Sequence, residues 1–352
     1  MSRALEEANA GLTSCPPEHL RVRGPQTASL AEHMTIVRKA CLSISAITVL
    51  AVATFVKTAD VDRQALCEGR RYERSAVPGG ASPYIGLSAD GVSGQFLLDY
   101  GATRSSLSAS AFTASDGSVR KAAISLPNFQ RDNFDLRRYD LPLQTAETQV
   151  GVIGTDFLSL LSVQITGHTV FLGAQPCQSN ALRARGLIPI VQNGFFSSNP
   201  SSIHSELPNV PVVFIRLGEV RTWAQIDTGY DDILYAHSVD INEALYKRLV
   251  DAGIKLERSA DISVSTCEGR ESRLVYTVKG RSLFIETDQA KPILETNNFH
   301  LILKRSNGCG GIGAMTAPAA QLGASFLQIF GTVVFDPKSE TVWLAGNASR
   351  GQ

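Results

Sequence analysis

The sequence predicts an all-β protein of two related halves with a few short helices. Three observations carry this. First, PYIGLSADGVSGQFLLDYG (Pro83 to Gly101) is echoed by PVVFIRLGEVRTWAQIDTG (Pro211 to Gly229), each with a proline sixteen residues before an aspartate. Second, VIGTDFLSLLSVQITGHTVFL (Val152 to Leu172) is echoed by QLGASFLQIFGTVVFDPKSETVWL (Gln321 to Leu344). Third, the clearest helical pattern is confined to Asp240–Gly253. Two blocks repeated in the same order indicate a duplicated unit rather than a chance match.

In each first block a β-rich run (Tyr84–Leu87, Val212–Ile215) meets a tight-turn pair, Asp90-Gly91 or Gly218-Glu219. The outgoing strand then climbs into Asp-x-Gly, so each block reads as a β-hairpin ending at Asp99 or Asp227. Each second block carries Gly-x-x-Phe-Leu, an apolar strand, a turn and a closing Thr-Val-aromatic-Leu strand. The segment 181–210 joins the halves as one strand and a Ser/Asn/Pro-rich loop. In DINEALYKRLVDAG, Asp240 and Glu243 fit a capping box, Ile241, Leu245 and Leu249 form the apolar stripe, and Gly253 ends the helix.

The chain has 352 residues, 33 Lys+Arg against 33 Asp+Glu, and no dense basic block. That length fits two domains, 60–180 and 211–347, and the charge balance argues against nucleic acid as a partner. CLSISAITVLAVATFV (Cys41 to Val56), after Arg38 and Lys39, is short for a spanning helix, which needs roughly 20 apolar residues. With Ala51-Val52-Ala53 as a small-x-small cleavage site it suits an export signal over 34–57. Residues 1–33 then read as a disordered tail or an overlong start. If cleavage fails, 40–56 is a membrane anchor with the N-terminus inside. The location expected is extracytoplasmic, periplasmic or secreted. Cys15 and Cys41 fall in the removed or embedded part, leaving Cys67, Cys177, Cys267 and Cys309, an even number with three possible pairings. None has metal-ligand spacing, and no metal or organic cofactor is expected. Asn307–Gly313 lacks the Lys-Ser/Thr of a phosphate loop, no Gly-x-Ser-x-Gly elbow occurs, and Asn347-Ala348-Ser349 matches a glycosylation acceptor.

Asp-Thr-Gly after an apolar strand, followed in the same half by apolar-Gly-x-x-Phe-Leu, with both blocks echoed in the other half, resembles the two-lobed aspartic proteases. The ending LGASFLQIFGTVVFDPKSETVWLA is similar to the closing segment of pepsin-like enzymes. IDTGYDDILYAHSVDINEAL is closer to bacterial retropepsin-like proteins. The resemblance implies an acid-protease fold with two related six-stranded-barrel lobes. It implies a monomer acting on peptide or protein substrates, with Asp99 and Asp227 as catalytic dyad. Two carboxylates so placed share a proton, one activating water and the other donating to the peptide carbonyl. Gly101 and Gly229 let backbone N–H groups reach the carboxylates, Thr228 braces the dyad, and Gly154 and Gly323 let a neighbouring strand pass close behind. The implied disulfides are Cys67–Cys177 and Cys267–Cys309, with a cross-lobe pairing as the alternative.

The chain departs from the family at Tyr100, where Thr or Ser stands, so only Thr228 supplies a hydroxyl brace. Ala102 and Tyr230 occupy positions where pepsin-like lobes often carry Ser or Thr. The flap candidate is Ser125–Pro142, where Phe129, Phe134 or Tyr139 could cover the cleft; an ordinary surface hairpin is the other reading, and no site role is assigned there. The function expected is therefore an exported aspartic endopeptidase. The alternative is a peptide-binding or inhibitory homologue in which Tyr100 has spoiled the dyad.

Overall fold

The computed structural model describes residues 66–75, 80–113, 117–126, 129–139, 149–192, 210–231, 234–235, 237–266, 269–305 and 311–346. The expected tail (1–33), the export or anchor segment (34–57), Cys15, Cys41, Cys267, Cys309 and the Asn347 acceptor lie outside the described residues. Among the described residues no helix is long and apolar enough to cross a membrane.

The first part of the chain contributes β1 (Arg70–Glu73), β2 (Tyr84–Ala89), β3 (Val92–Leu98), β4 (Ser106–Ser108), β5 (Val119–Leu126), β6 (Phe129–Tyr139), β7 (Gln149–Ile153), β8 (Ser162–Thr166), β9 (Thr169–Gly173) and β10 (Leu187–Val191). The second contributes β11 (Val212–Leu217), β12 (Val220–Asp227), β13 (Ser238–Asn242), β14 (Leu256–Thr266), β15 (Gly269–Val278), β16 (Leu283–Glu286), β17 (Pro292–Thr296), β18 (His300–Lys304), β19 (Ala320–Gly323), β20 (Thr332–Asp336) and β21 (Thr341–Ala345).

The two hairpins form as their turn residues dictate. Asp90 and Gly91 both have positive φ, as a type I′ turn between Ala89 and Val92 requires. At the matching place Gly218 alone is positive, as the first position of a type II′ turn requires. From there the same pairing pattern occurs twice. In the first half β2 pairs antiparallel with β3, β3 parallel with β7, β7 antiparallel with β4, and β4 parallel with β6. In the second the series is β11, β12, β19, β13 and β18, with the same alternation of directions.

The halves differ in how this unit ends. In the first, β5 bridges β6 back to β2 and closes a six-stranded barrel. In the second, β15 and β14 extend one side and β16 and β17 the other. The result is a nine-stranded sheet where the family resemblance implied another six-stranded barrel. A third sheet, ordered β1-β9-β8-β20-β21-β10, draws strands from both halves, with β8 against β20 at the join. One buried apolar cluster runs from Ile85, Phe96 and Leu98 through Phe335 to Val213 and Ile226.

One local expectation is corrected, and the open reading of the Ser125–Pro142 hairpin gains its packing. Asp240 is not the helix cap: it lies buried within β13, which pairs in parallel with His300–Lys304, and it binds the buried Arg273 at 3.0 Å. The cap is Asn242, whose side chain accepts the Leu245 N–H at 2.9 Å, and the helix runs Glu243–Asp251 with Leu245 and Leu249 buried. Ile241 belongs to the strand, because distant pairing overrides the local capping pattern. The aromatic residues of the flap candidate face inward. Phe129 and Phe134 meet Phe157 edge-on at 5.7 and 5.3 Å, and Tyr139 is buried. They are barrel-packing residues, since Phe157 is itself buried in the core.

Cys67 and Cys177 form a disulfide across a sequence separation of 110 residues, tying the chain ahead of β1 to the chain after β9. Closing so long a loop restricts the unfolded chain. The Cys67→Ser/Cys177→Ser protein is expected to lose about 2–4 kcal/mol of unfolding free energy, measured by urea titration without reductant.

Candidate functional site

The site is assembled from two strand ends. The Asp99 N–H donates to Ile153 O at 2.9 Å, holding the loop after β3 to the end of β7. Asp227 closes β12 opposite Gly323 of β19. Each return strand then pins the far side of its loop. Thr155 N–H donates to Ala102 O at 2.8 Å, and Ala324 N–H to Tyr230 O at 2.7 Å. Gly154 and Gly323 stand at these crossings. A Cβ at Gly154 would lie 2.7 Å from Ala102 O, and one at Gly323 2.7 Å from Tyr230 O.

The two loops bring Asp99 and Asp227 together, and their carboxyls share a hydrogen bond. Each is also held by its own loop. Asp99 Oδ1 accepts from Gly101 N–H at 2.7 Å and Ala102 N–H at 3.1 Å. Asp227 Oδ1 accepts from Gly229 N–H at 2.9 Å and Tyr230 N–H at 3.0 Å. The loops cross so closely that a Cβ at Gly101 would sit 2.2 Å from Asp227 Cγ, and one at Gly229 2.3 Å from Asp99 Oδ2. Glycine is required here for space, and its φ is not the issue.

The carboxyls differ in surroundings. Asp99 is 3% exposed, whereas Asp227 is half-buried. Burial raises the Asp99 pKa above the usual carboxylate range, against the opposing pull of its hydrogen-bond donors. Two carboxyls in such contact titrate as one coupled pair that shares a proton.

Thr228 spans the two halves. Its Oγ1 donates to Leu98 O at 2.6 Å and accepts from the Tyr100 N–H at 3.0 Å. Tyr100 returns no side-chain bond. Its ring is fully buried and stacks on Phe335 of β20, with centroids 3.7 Å apart and planes at 18°.

Asp231 has no role in the sequence reading. It is buried, and its Oδ2 accepts the N–H groups of Ala81, in a short bond, and Ser82, at 3.1 Å. These partners precede it by 150 and 149 residues. The clue was a second acid just past Asp-Thr-Gly, with no partner visible nearby. In the first half Asp156 does comparable work, accepting from Ser105 N–H and Oγ–H at 2.9 and 2.7 Å. Among the described residues no group of three His, Cys, Asp or Glu is placed to hold a metal ion. Compared with known proteins, the chain matches no family model and no curated sequence.

Two outcomes follow from this geometry. Replacing Thr228 by Val strands the buried Tyr100 N–H, which should lower unfolding free energy by about 1–3 kcal/mol in urea titration, while Ser retains most of it. Asp99, Asp156 and Asp231 all have pKa values raised chiefly by burial. Folded, they keep protons that the unfolded chain has released above about pH 4, so their contribution to stability declines as pH rises through the raised values. His300, whose pKa burial depresses, acts in the opposite sense. The decline between about pH 4.5 and 7.5 should therefore be smaller in Asp156→Asn than in the parent.

Proposed function

We propose that the protein is an exported, two-lobed aspartic endopeptidase of the pepsin-like and retropepsin-like kind. The observation that carries this is the shared hydrogen bond between Asp99 and Asp227, each delivered by one copy of a repeated strand–loop unit. A lone Asp-Thr-Gly is a weak signal. Crossed at glycines with the Asp-Tyr-Gly of the other half, and with matching backbone donors on both carboxyls, it forms an arrangement whose chemistry is specific.

In this reading a water bound between the carboxyls loses a proton to ionised Asp227 as its oxygen attacks the peptide carbonyl carbon. The Asp99 proton passes to the carbonyl oxygen, giving a neutral tetrahedral diol. The C–N bond then breaks with the proton on Asp227 going to the departing amine nitrogen, while a diol proton returns to Asp99. Asp99 suits the donor role because it is the more buried of the two, and Asp227 suits the base because it is the more exposed. The Cys67–Cys177 disulfide favours an oxidising compartment, in keeping with the apolar segment at 41–56. The binding-only alternative rests on Tyr100 having spoiled the dyad. A Tyr100 ring buried against Phe335, with the two carboxyls still adjacent, favours the catalytic reading.

The test is cleavage of a peptide library by protein made in an oxidising host, across about pH 3 to 7, where a shared-proton pair gives a bell-shaped profile. Asp99→Asn and Asp227→Asn should each lose at least about 10²-fold in kcat. A folded, disulfide-intact parent that cleaves nothing, or cleavage indifferent to both variants, would overturn the proposal.

A further inference from the structure

The Asp99 loop lacks the side-chain brace that the Asp227 loop has. Thr228 reaches across to both Leu98 O and the Tyr100 N–H. Nothing short and polar stands at position 100 to reach back. Yet Tyr100 is the residue between Asp99 and Gly101, whose N–H holds Asp99 Oδ1 at 2.7 Å. Any rotation of the peptide at 100 moves that donor and the carboxyl together.

What Tyr100 touches is unusually fixed. Phe335 lies in β20, paired on one side with Val163 of β8 and on the other with Val342 of β21. The next residue, Asp336, is fully buried and accepts from Ser162 Oγ at 3.1 Å, Cys177 N–H at 3.2 Å and Ser339 Oγ at 2.7 Å. The stack at 3.7 Å thus ties the Asp99 loop to the sheet shared by both halves, beside a disulfide cysteine. The phenolic OH is buried with no hydrogen-bond partner among the described residues, so the ring makes the contact and the hydroxyl does not.

We infer that Tyr100 is a positioning residue whose stack on Phe335 does for the Asp99 loop what a second hydroxyl brace would otherwise do. This rests on the reading of Asp99 and Asp227 as the catalytic pair. It has a consequence opposite to the one the family pattern implies. Threonine at position 100 restores the expected residue type but removes the ring, leaving Phe335 without its partner and the loop without its anchor.

The experiment compares the parent with Tyr100→Phe, Tyr100→Ala, Tyr100→Thr and Phe335→Leu as full chains made in an oxidising host. One measurement is the pH profile of kcat and KM on a cleaved library peptide. The other is amide hydrogen exchange of peptides spanning 98–102 and 227–230, read by mass spectrometry. Tyr100→Phe is expected to keep the parent's profile and exchange. The other three should lose about 10²-fold in kcat with KM little changed, since small misplacement of reacting groups is enough for that. They should also show a displaced pH optimum and faster exchange confined to the two loops. A Tyr100→Thr protein as active as the parent, or uniform loosening of the whole barrel with the pH profile unmoved, would overturn the inference. If the parent cleaves no peptide, the protease reading fails, while the exchange pattern still decides the role of Tyr100: confined loosening supports it and uniform loosening overturns it.

Discussion

The contact between the Asp99 and Asp227 carboxyls is the constraint around which the rest of the molecule is arranged. Two unit charges about 3 Å apart repel by about 5 kcal/mol at an effective dielectric of 20, so the pair is tolerable only with a proton between its members. The backbone N–H groups of Gly101, Ala102, Gly229 and Tyr230 all point donors at this pair, favouring a negative charge there. Burial of Asp99 pulls the other way. One proton and one charge, unequally placed, satisfies both demands.

Holding that contact requires the two halves to meet in one register, and three sets of interactions set it. Thr228 joins the loop of one half to the strand end of the other. Asp231 takes the backbone N–H groups of Ala81 and Ser82 just ahead of β2. The sheet that contains both β8 and β20 forms a common floor, on which Tyr100 rests through Phe335. Each is buried, so each is undiluted by solvent, and each links residues more than a hundred positions apart. Site geometry and folding of the whole chain are therefore one problem in this protein.

What was legible in the sequence is what local chemistry determines. Asp90-Gly91 and Gly218-Glu219 announce their turns; the glycines at 154 and 323 stand where backbones crowd, and those at 101 and 229 where the opposing carboxyl leaves no room for a Cβ. The duplicated blocks pointed to the two aspartates because repetition places like residues at like ends of like strands. Pairing of distant segments was not legible. The Asp240/Glu243 spacing imitates a capping box, but β18 claims residues through Asn242 and leaves the cap to Asn242. The strands β14 to β17 lie outside the duplicated blocks, so the duplication gave no hint that the second sheet would have nine strands. Aromatic residues in a hairpin look the same whether they cover a cleft or fill a barrel, and Phe134 fills the barrel. The destination of Tyr100 depends on a strand more than two hundred residues away, which no motif records.

The most direct test of the central claim is a carboxyl titration. With ¹³C-labelled aspartate and assignments by Asp99→Asn and Asp227→Asn, NMR follows the two carboxyl carbons across pH. The account predicts coupled titration, with one proton retained on the pair, chiefly at Asp99, well above the ordinary carboxylate value of about 4. Two independent titrations, both near that ordinary value, would mean that the carboxyls do not share a proton in solution, and would contradict it.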